Sequence, residues 1–175
     1  MREELRESAT AGALLVVVGA LAVLSGRTFL FPSLGPSAFL LATKPSAPAS
    51  HPRRVAGGHA VGVLAGLATY HALASGVAVT APPPAMTTAS ASLAVSGVVS
   101  VMLTTAGMVA ADLRHAPACA TTLIVSLGLL SSPTDALLVG ASILILLATH
   151  RTLLATEIAP GQTTADIADA ADRPS

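Results

Sequence analysis

Tryptophan is absent, tyrosine and cysteine occur once each (Tyr70 and Cys119), and only 10% of the 175 residues are charged. A soluble domain carries roughly 25% charged residues, so this chain has too few to cover a water-facing surface. The shortage is concentrated, because no Asp, Glu, Lys or Arg occurs from Val55 to Ala111. One cysteine excludes an internal disulfide and lacks the partners of a zinc site. The histidines at 51, 59, 71, 115 and 150 form no HExxH-like pair, so neither a metal nor another cofactor is called for. A formal net charge of zero leaves no footprint for nucleic acid. Paired carboxylates are missing from the apolar runs, and no Gly-x-Ser-x-Gly elbow is present. Only Asp112 with His115, or Cys119 with His115, offers a short-range catalytic pairing, so the chain does not read as an enzyme.

What remains is apolar: 53% of the residues are hydrophobic. The runs are too long and continuous for outer-membrane strands, and too uniformly apolar for soluble helices. They predict an all-α membrane protein with segments at about 8–26, 28–43, 56–80, 89–111, 116–131 and 133–154. The polar stretch 156–175 reads as a disordered cytoplasmic tail. The opening MREELRES mixes arginine with glutamate, unlike a signal peptide, so the first segment reads as a retained helix rather than a cleaved leader. Crossing about 30 Å of hydrocarbon takes about 20 helical residues. The second and fifth segments fall short and carry prolines near their starts (Pro32, Pro36 and Pro117), which suits either short, partly unwound crossings or re-entrant hairpins.

Charge separates these topologies. With six crossings and both termini cytoplasmic, eight of the nine Lys/Arg residues lie inside and only Arg27 lies outside. With both short segments re-entrant, four lie inside and five outside. The positive-inside rule favours six crossings of the cell membrane. The order is then two three-segment halves, each long–short–long, oppositely oriented as in inverted-repeat transporters.

Two proline-broken helix starts, oppositely oriented near the midplane, leave early N–H groups unpaired and favour negative charge. This makes Ser33, Gly35, Ser37, Pro117, Thr121 and Thr122 the candidate substrate path, with hydroxyls donating where a full charge would be costly. Arg53, Arg54, His59, Arg114 and His115 form the candidate cytoplasmic mouth. His59 and His71 read either as helix histidines bonded to a neighbour or as ionisable groups on a polar path. Gly58, Gly62 and Gly66 form a stripe for close helix packing, within the chain or between copies in a homo-oligomer. Ser92, Ser96, Ser100 and Thr104 form a second small-residue stripe, and Ala136 with Gly140 a third.

Ser33-Leu-Gly-Pro-Ser-Ala38, Phe39-Leu-Leu and His51-Pro-Arg-Arg-Val-Ala-Gly-Gly-His59 together resemble the first signature region of the HPP family of integral membrane proteins. That family's second signature, His-Pro-Pro then Ala-Gly-Ala-Thr, is matched by His115-Ala-Pro-Ala-Cys-Ala-Thr121, with Ala116 in place of the first proline and Cys119 in place of the glycine. The resemblance implies four membrane helices, two fewer than the charge count favours, and, from photosynthetic members, nitrite transport. The expected function is a carrier or channel for a small solute such as an inorganic anion, working in the lipid bilayer. The alternative is a non-transporting structural or regulatory protein acting through helix association. Topology is directly testable: in a Cys119→Ala background, a cysteine at Ser46 or Ser50 should be labelled only from the cytoplasmic side. A cysteine at Met86 or Ser132 should be labelled only from outside, and outside labelling at 46 or 50 would restore the re-entrant arrangement.

Overall fold

A computed structural model describes residues 1–158; of the tail expected at 156–175, residues 156–158 continue the last helix and the rest lie outside the described residues. The described chain is helical throughout, with no strand beyond an isolated bridge between Ala78 and Ala81. Six α-helices follow in order: α1 (Arg2–Ser25), α2 (Leu34–Thr43), α3 (Pro52–Thr69), α4 (Thr88–Ala110), α5 (Ala118–Ser126) and α6 (Pro133–Ile158). Helices α1, α4 and α6 are long and apolar enough to cross a membrane. A π turn, Tyr70–Ala74, carries α3 further, so the expected segment to residue 80 ends earlier as helix.

The helix ends follow local chemistry. Gly26, at φ 63°, closes α1 in the left-handed region that suits glycine. Pro52 opens α3 at its first turn, where a missing N–H costs nothing, and the His51 ring accepts from the Arg53 amide. Thr87 and Ser90 form a reciprocal capping box at the start of α4. Ser132 and Asp135 do the same for α6, with the Asp135 carboxylate accepting from the Ser132 amide at 3.0 Å.

The two short helices are about half a crossing each, 10 residues in α2 and 9 in α5, or about 15 and 14 Å. The chain around them completes the passage. Leu30 lies beside Gly19, near the end of α1. Phe39 and Thr43 share a pocket with Glu4, Glu7 and Ser8 at the beginning of α1. Residues 27–43 therefore run back along α1 from one end of the bundle to the other. The second short segment behaves likewise. Asp112 meets Arg54 at the start of α3, and Leu127 accepts the Val79 amide beyond the other end of α3. Arg6 and Glu7 share a pocket with Pro45, His150 and Leu153, so α1 begins and α6 finishes at the same end. The chain thus passes between the two ends of the bundle six times.

Outward-facing apolar side chains such as Val16, Val23, Leu24, Met102, Leu137 and Leu144 are exposed, as expected of a surface that meets lipid. The main core joins Leu14 and Val18 of α1, Leu34, Ala38 and Leu41 of α2, Val55 of α3, Val125 of α5, and Val139, Ile143 and Leu146 of α6. Ser50 is buried, its hydroxyl donating to the Lys44 carbonyl at 2.7 Å, so Ser46 is the better labelling position in that loop.

The glycine stripe of α3 packs within the chain, along α5. A Cβ on Gly62 would stand 2.7 Å from Thr122 Oγ1 and 2.8 Å from the Ala118 carbonyl oxygen. One on Gly66 would stand 2.7 Å from Val125 Cβ, and one on Gly58 3.0 Å from His115 Cβ. The hydroxyl stripe of α4 faces α5 from the other side: Ser96 donates to the Ser126 carbonyl at 3.0 Å, and Thr104 meets Thr122 at 2.7 Å. Thr122 itself donates to the Ala118 carbonyl, so Thr104 is the donor in that pair. Gly140 has nothing within 4 Å of a Cβ and, with Ala136, lines an open groove rather than a helix contact.

Gly62→Ala is accordingly expected to destabilise the bundle by about 1–3 kcal/mol, through overpacking against backbone that cannot move aside. Gly140→Ala should be neutral or gain up to about 1 kcal/mol from helix propensity. Thermal unfolding of the two variants in detergent checks the contrast, and equal behaviour would contradict the packing described.

Candidate functional site

The starts of the two short helices meet. Ser33 Oγ, at the entry to α2, lies 2.6 Å from Thr121 Oγ1 in the first turn of α5, and both residues are fully buried. Thr121 Oγ1 is in turn 2.7 Å from His59 Nδ1 on α3. His59 Nε2 is 3.0 Å from Ser37 Oγ on α2, and Ser37 Oγ is 3.1 Å from His115 Nε2. His115 Nδ1 is 2.9 Å from the carbonyl oxygen of Ala49. The two imidazoles are tilted, with centroids 5.1 Å apart.

The donors follow from this connectivity. A carbonyl only accepts, so His115 Nδ1 carries a proton. Ser37 Oγ also has the Ser33 carbonyl oxygen at 3.1 Å, and its one proton can serve either acceptor; with both rings neutral and every ring nitrogen bonded, it goes to His115 Nε2. Ser37 then accepts from His59 Nε2–H, His59 Nδ1 accepts from Thr121, and Thr121 accepts from Ser33. The result is one directed chain: Ser33, Thr121, His59, Ser37, His115, Ala49. Every ring nitrogen in it has a partner, as burial requires.

The expected path residues therefore divide. Ser33, Ser37 and Thr121 belong to the chain. Thr122 turns to Thr104 and serves helix packing. Pro117 is buried as the residue preceding α5, and Gly35 lies in the first turn of α2. Of the expected mouth residues, His59 and His115 lie in the interior, 2% and 0% exposed. His59 is carried inward by two turns of α3, and His115 is drawn in by the Ala49 carbonyl. The amides of Ala118, Cys119 and Ala120 each donate to the carbonyl three residues earlier, so the start of α5 spends those donors on its own turn. Side-chain hydroxyls and imidazoles, rather than open amides, are what the interior offers a ligand.

Arg53 and Arg54 remain at the end of the bundle, where with Pro48, His51 and Asp112 they line a pocket of about 300 Å³. Arg54 pairs with Asp112 at 2.7 Å, and Arg114 lies 3.5 Å from the same carboxylate. Asp112 adopts φ 53°, a left-handed conformation tolerated by aspartate, which ends the α4 turn and aims the carboxylate at α3. Sequence reasoning missed Ala49, whose contribution is backbone and leaves no side-chain signal, and treated His51 only as part of a motif. It also missed a groove of about 350 Å³ between α3 and α6, lined by Ala60, Val63, Val139 and Ile143, with His59 at its wall.

Fold and site define a multi-pass helical integral membrane protein with a polar interior formed by two half-length helices. The family model described as HPP, transmembrane region, matches residues 1–159. The chain belongs to that family. No curated protein and no solved structure matches it.

Two outcomes follow. Thr121→Val keeps the shape while leaving His59 Nδ1 and Ser33 without their partner, an expected loss of about 1–3 kcal/mol in unfolding measurements. Bonding to Arg54, and then its charge, holds the Asp112 carboxyl below the usual carboxylate range. A depressed carboxylate stabilises the fold above its unfolded-state pKa and loses that contribution as pH falls through the depressed value. Arg54→Gln should therefore raise the Asp112 titration midpoint, read by carboxyl NMR, with salt weakening the difference because the pair is solvent-facing.

Proposed function

We propose that this protein is a transporter or channel that passes a small solute, an inorganic anion such as nitrite, across the membrane in which it crosses six times. The observation that carries the reading is the contact of Ser33 with Thr121. It joins the entry to α2 with the first turn of α5 inside the bundle, and the irregular chain before each short helix is tolerated there when it is enclosed by protein or lines a path. Helix association alone would not call for a buried chain of three hydroxyls and two imidazoles, because polar groups at membrane depth are costly. The glycine stripe, one of the small-residue stripes that suit helix association, is met by residues 113–125 of the same chain.

The direction of the charges supports an anion. Arg53 and Arg54 stand around the pocket at one end with Asp112, which Arg54 and Arg114 flank, and the excess of arginine over carboxylate there raises the local concentration of anions. The start of α1 and the end of α6 share that end, and the Lys/Arg residues gathered there favour the cytoplasm by the positive-inside rule. All nine acidic residues lie outside the apolar runs or, like Asp135, at their edges, so none is placed at depth to coordinate a cation. The interior hydroxyls and imidazoles are bonded to one another, and a passing anion would replace some of these contacts.

Purified protein in liposomes is expected to take up nitrite down its gradient. Ser37→Val and Thr121→Val should lower the rate about tenfold or more, the loss of one or two hydrogen bonds to a charged solute at about 1.5 kcal/mol each. Folded wild-type protein that passes none of nitrite, nitrate, formate or chloride would overturn the reading.

A further inference from the structure

We propose that the Ser37–His59–His115 cluster is a proton-binding site and that an anion crosses together with one proton. The inference rests on the transport reading above and adds the coupling ion to it.

The geometry of Ser37 carries the argument. A hydroxyl donates once and accepts twice. Ser37 Oγ has three partners at hydrogen-bonding distance: His59 Nε2 at 3.0 Å, His115 Nε2 at 3.1 Å and the Ser33 carbonyl oxygen at 3.1 Å. With both rings neutral, Ser37 donates to His115 and accepts from His59. When a proton adds to His115 Nε2, one N–H bond forms and Ser37 rotates its O–H onto the Ser33 carbonyl. It then accepts from both rings. His115 Nδ1–H stays on the Ala49 carbonyl, and the rest of the chain is unchanged. The cluster therefore has two fully bonded states, differing by one proton and one hydroxyl rotation. A histidine present only for packing needs one such state.

Charge supplies the second, independent reason. An anion at membrane depth needs a compensating positive charge. No Lys or Arg lies in residues 9–26, 28–43, 55–111, 115–134 or 136–150. Charged side chains of α1 are confined to residues 2–7, while α2, α4 and α5 have none, and Cys119 is the one other titratable group on α5. On α3, Arg53 and Arg54 stand at its outer end, with Asp112 and Arg114 on the neighbouring loop and Lys44 and His51 on the loop before it. Asp135 and Arg151 lie towards the two ends of α6, and His150 lines a separate pocket beside Arg6 and Glu7. A protonated imidazole is thus the positive charge the interior can produce. Its place fits a route from the basic pocket, since Pro48 and His51 line that pocket and Ala49, between them, holds His115. One anion and one proton then move as a neutral sum.

The test uses the full chain in proteoliposomes with a trapped pH dye, potassium and valinomycin to fix the potential, and nitrate or chloride as probes beside nitrite. Nitrate and chloride have no membrane-permeant acid form at neutral pH, and protein-free vesicles correct for nitrous acid leakage. Expected are acidification of the lumen on anion entry, accumulation driven by an inside-alkaline gradient, and flux unchanged by the imposed potential. His115→Gln, which keeps hydrogen bonding without titrating, should abolish accumulation by the pH gradient by tenfold or more. Should that variant fail to fold, the wild-type potential and pH series decides alone. Flux that follows the potential and ignores the pH gradient overturns the coupling while leaving transport intact. Absence of flux for every anion defeats both.

Discussion

A buried imidazole needs a partner on each ring nitrogen, and two buried imidazoles side by side need four. Meeting that demand ties the distant parts of this chain together. His59 reaches Thr121 across 62 residues of sequence, Ser37 reaches His115 across 78, and Ser33 reaches Thr121 across 88. The positions of α2, α3, the loop before α3 and α5 are therefore constrained by a single set of hydrogen bonds. Apolar packing alone leaves helices free to slide in a membrane, because lipid tails are as apolar as the core. The directed chain of donors supplies the register that packing does not.

Close approach makes the chain possible. Gly58, Gly62 and Gly66 let α3 lie against the backbone of the second short segment, which brings His59 within reach of Thr121 and sets His115 beside Gly58. On the opposite side, the hydroxyls of α4 bond to the same segment through Ser126 and Thr122. The nine-residue helix α5 is thus held between two small-residue faces, one lacking side chains and one carrying short hydroxyls. A half-length helix with irregular chain before it would otherwise expose backbone groups at depth, and this enclosure is what allows it there.

The six helices were legible because hydropathy and length are local properties. The passage of the two short segments from end to end was legible from charge, since the count grouped Lys44, Arg53 and Arg54 with the basic residues of the N-terminus at one end. Ser33, Ser37 and Thr121 were found as hydroxyls beside proline-broken starts. The depth of His59 and His115 was not visible: both stand next to arginine-bearing stretches, and sequence adjacency placed them at the mouth. Depth depends on how far α3 extends inward and on the Ala49 carbonyl, and neither leaves a residue-type signature. Thr122 parts from its neighbour Thr121 for a similar reason, because only the packing of α4 decides that it faces Thr104 rather than Ser33. The start of α5 also uses more of its own amides than its proline suggested.

The central claim is that the starts of the two short segments meet inside one bundle. Cross-linking measures this directly: Ser33→Cys with Thr121→Cys, in a Cys119→Ala background, treated in native membranes with a mild oxidant or a minimal-length thiol cross-linker. The account predicts an intramolecular cross-link, seen as a mobility shift and formed at every protein dilution. Failure to cross-link in folded protein, with both cysteines reactive towards a lipid-soluble maleimide, would show that the two starts face lipid separately and would contradict the account.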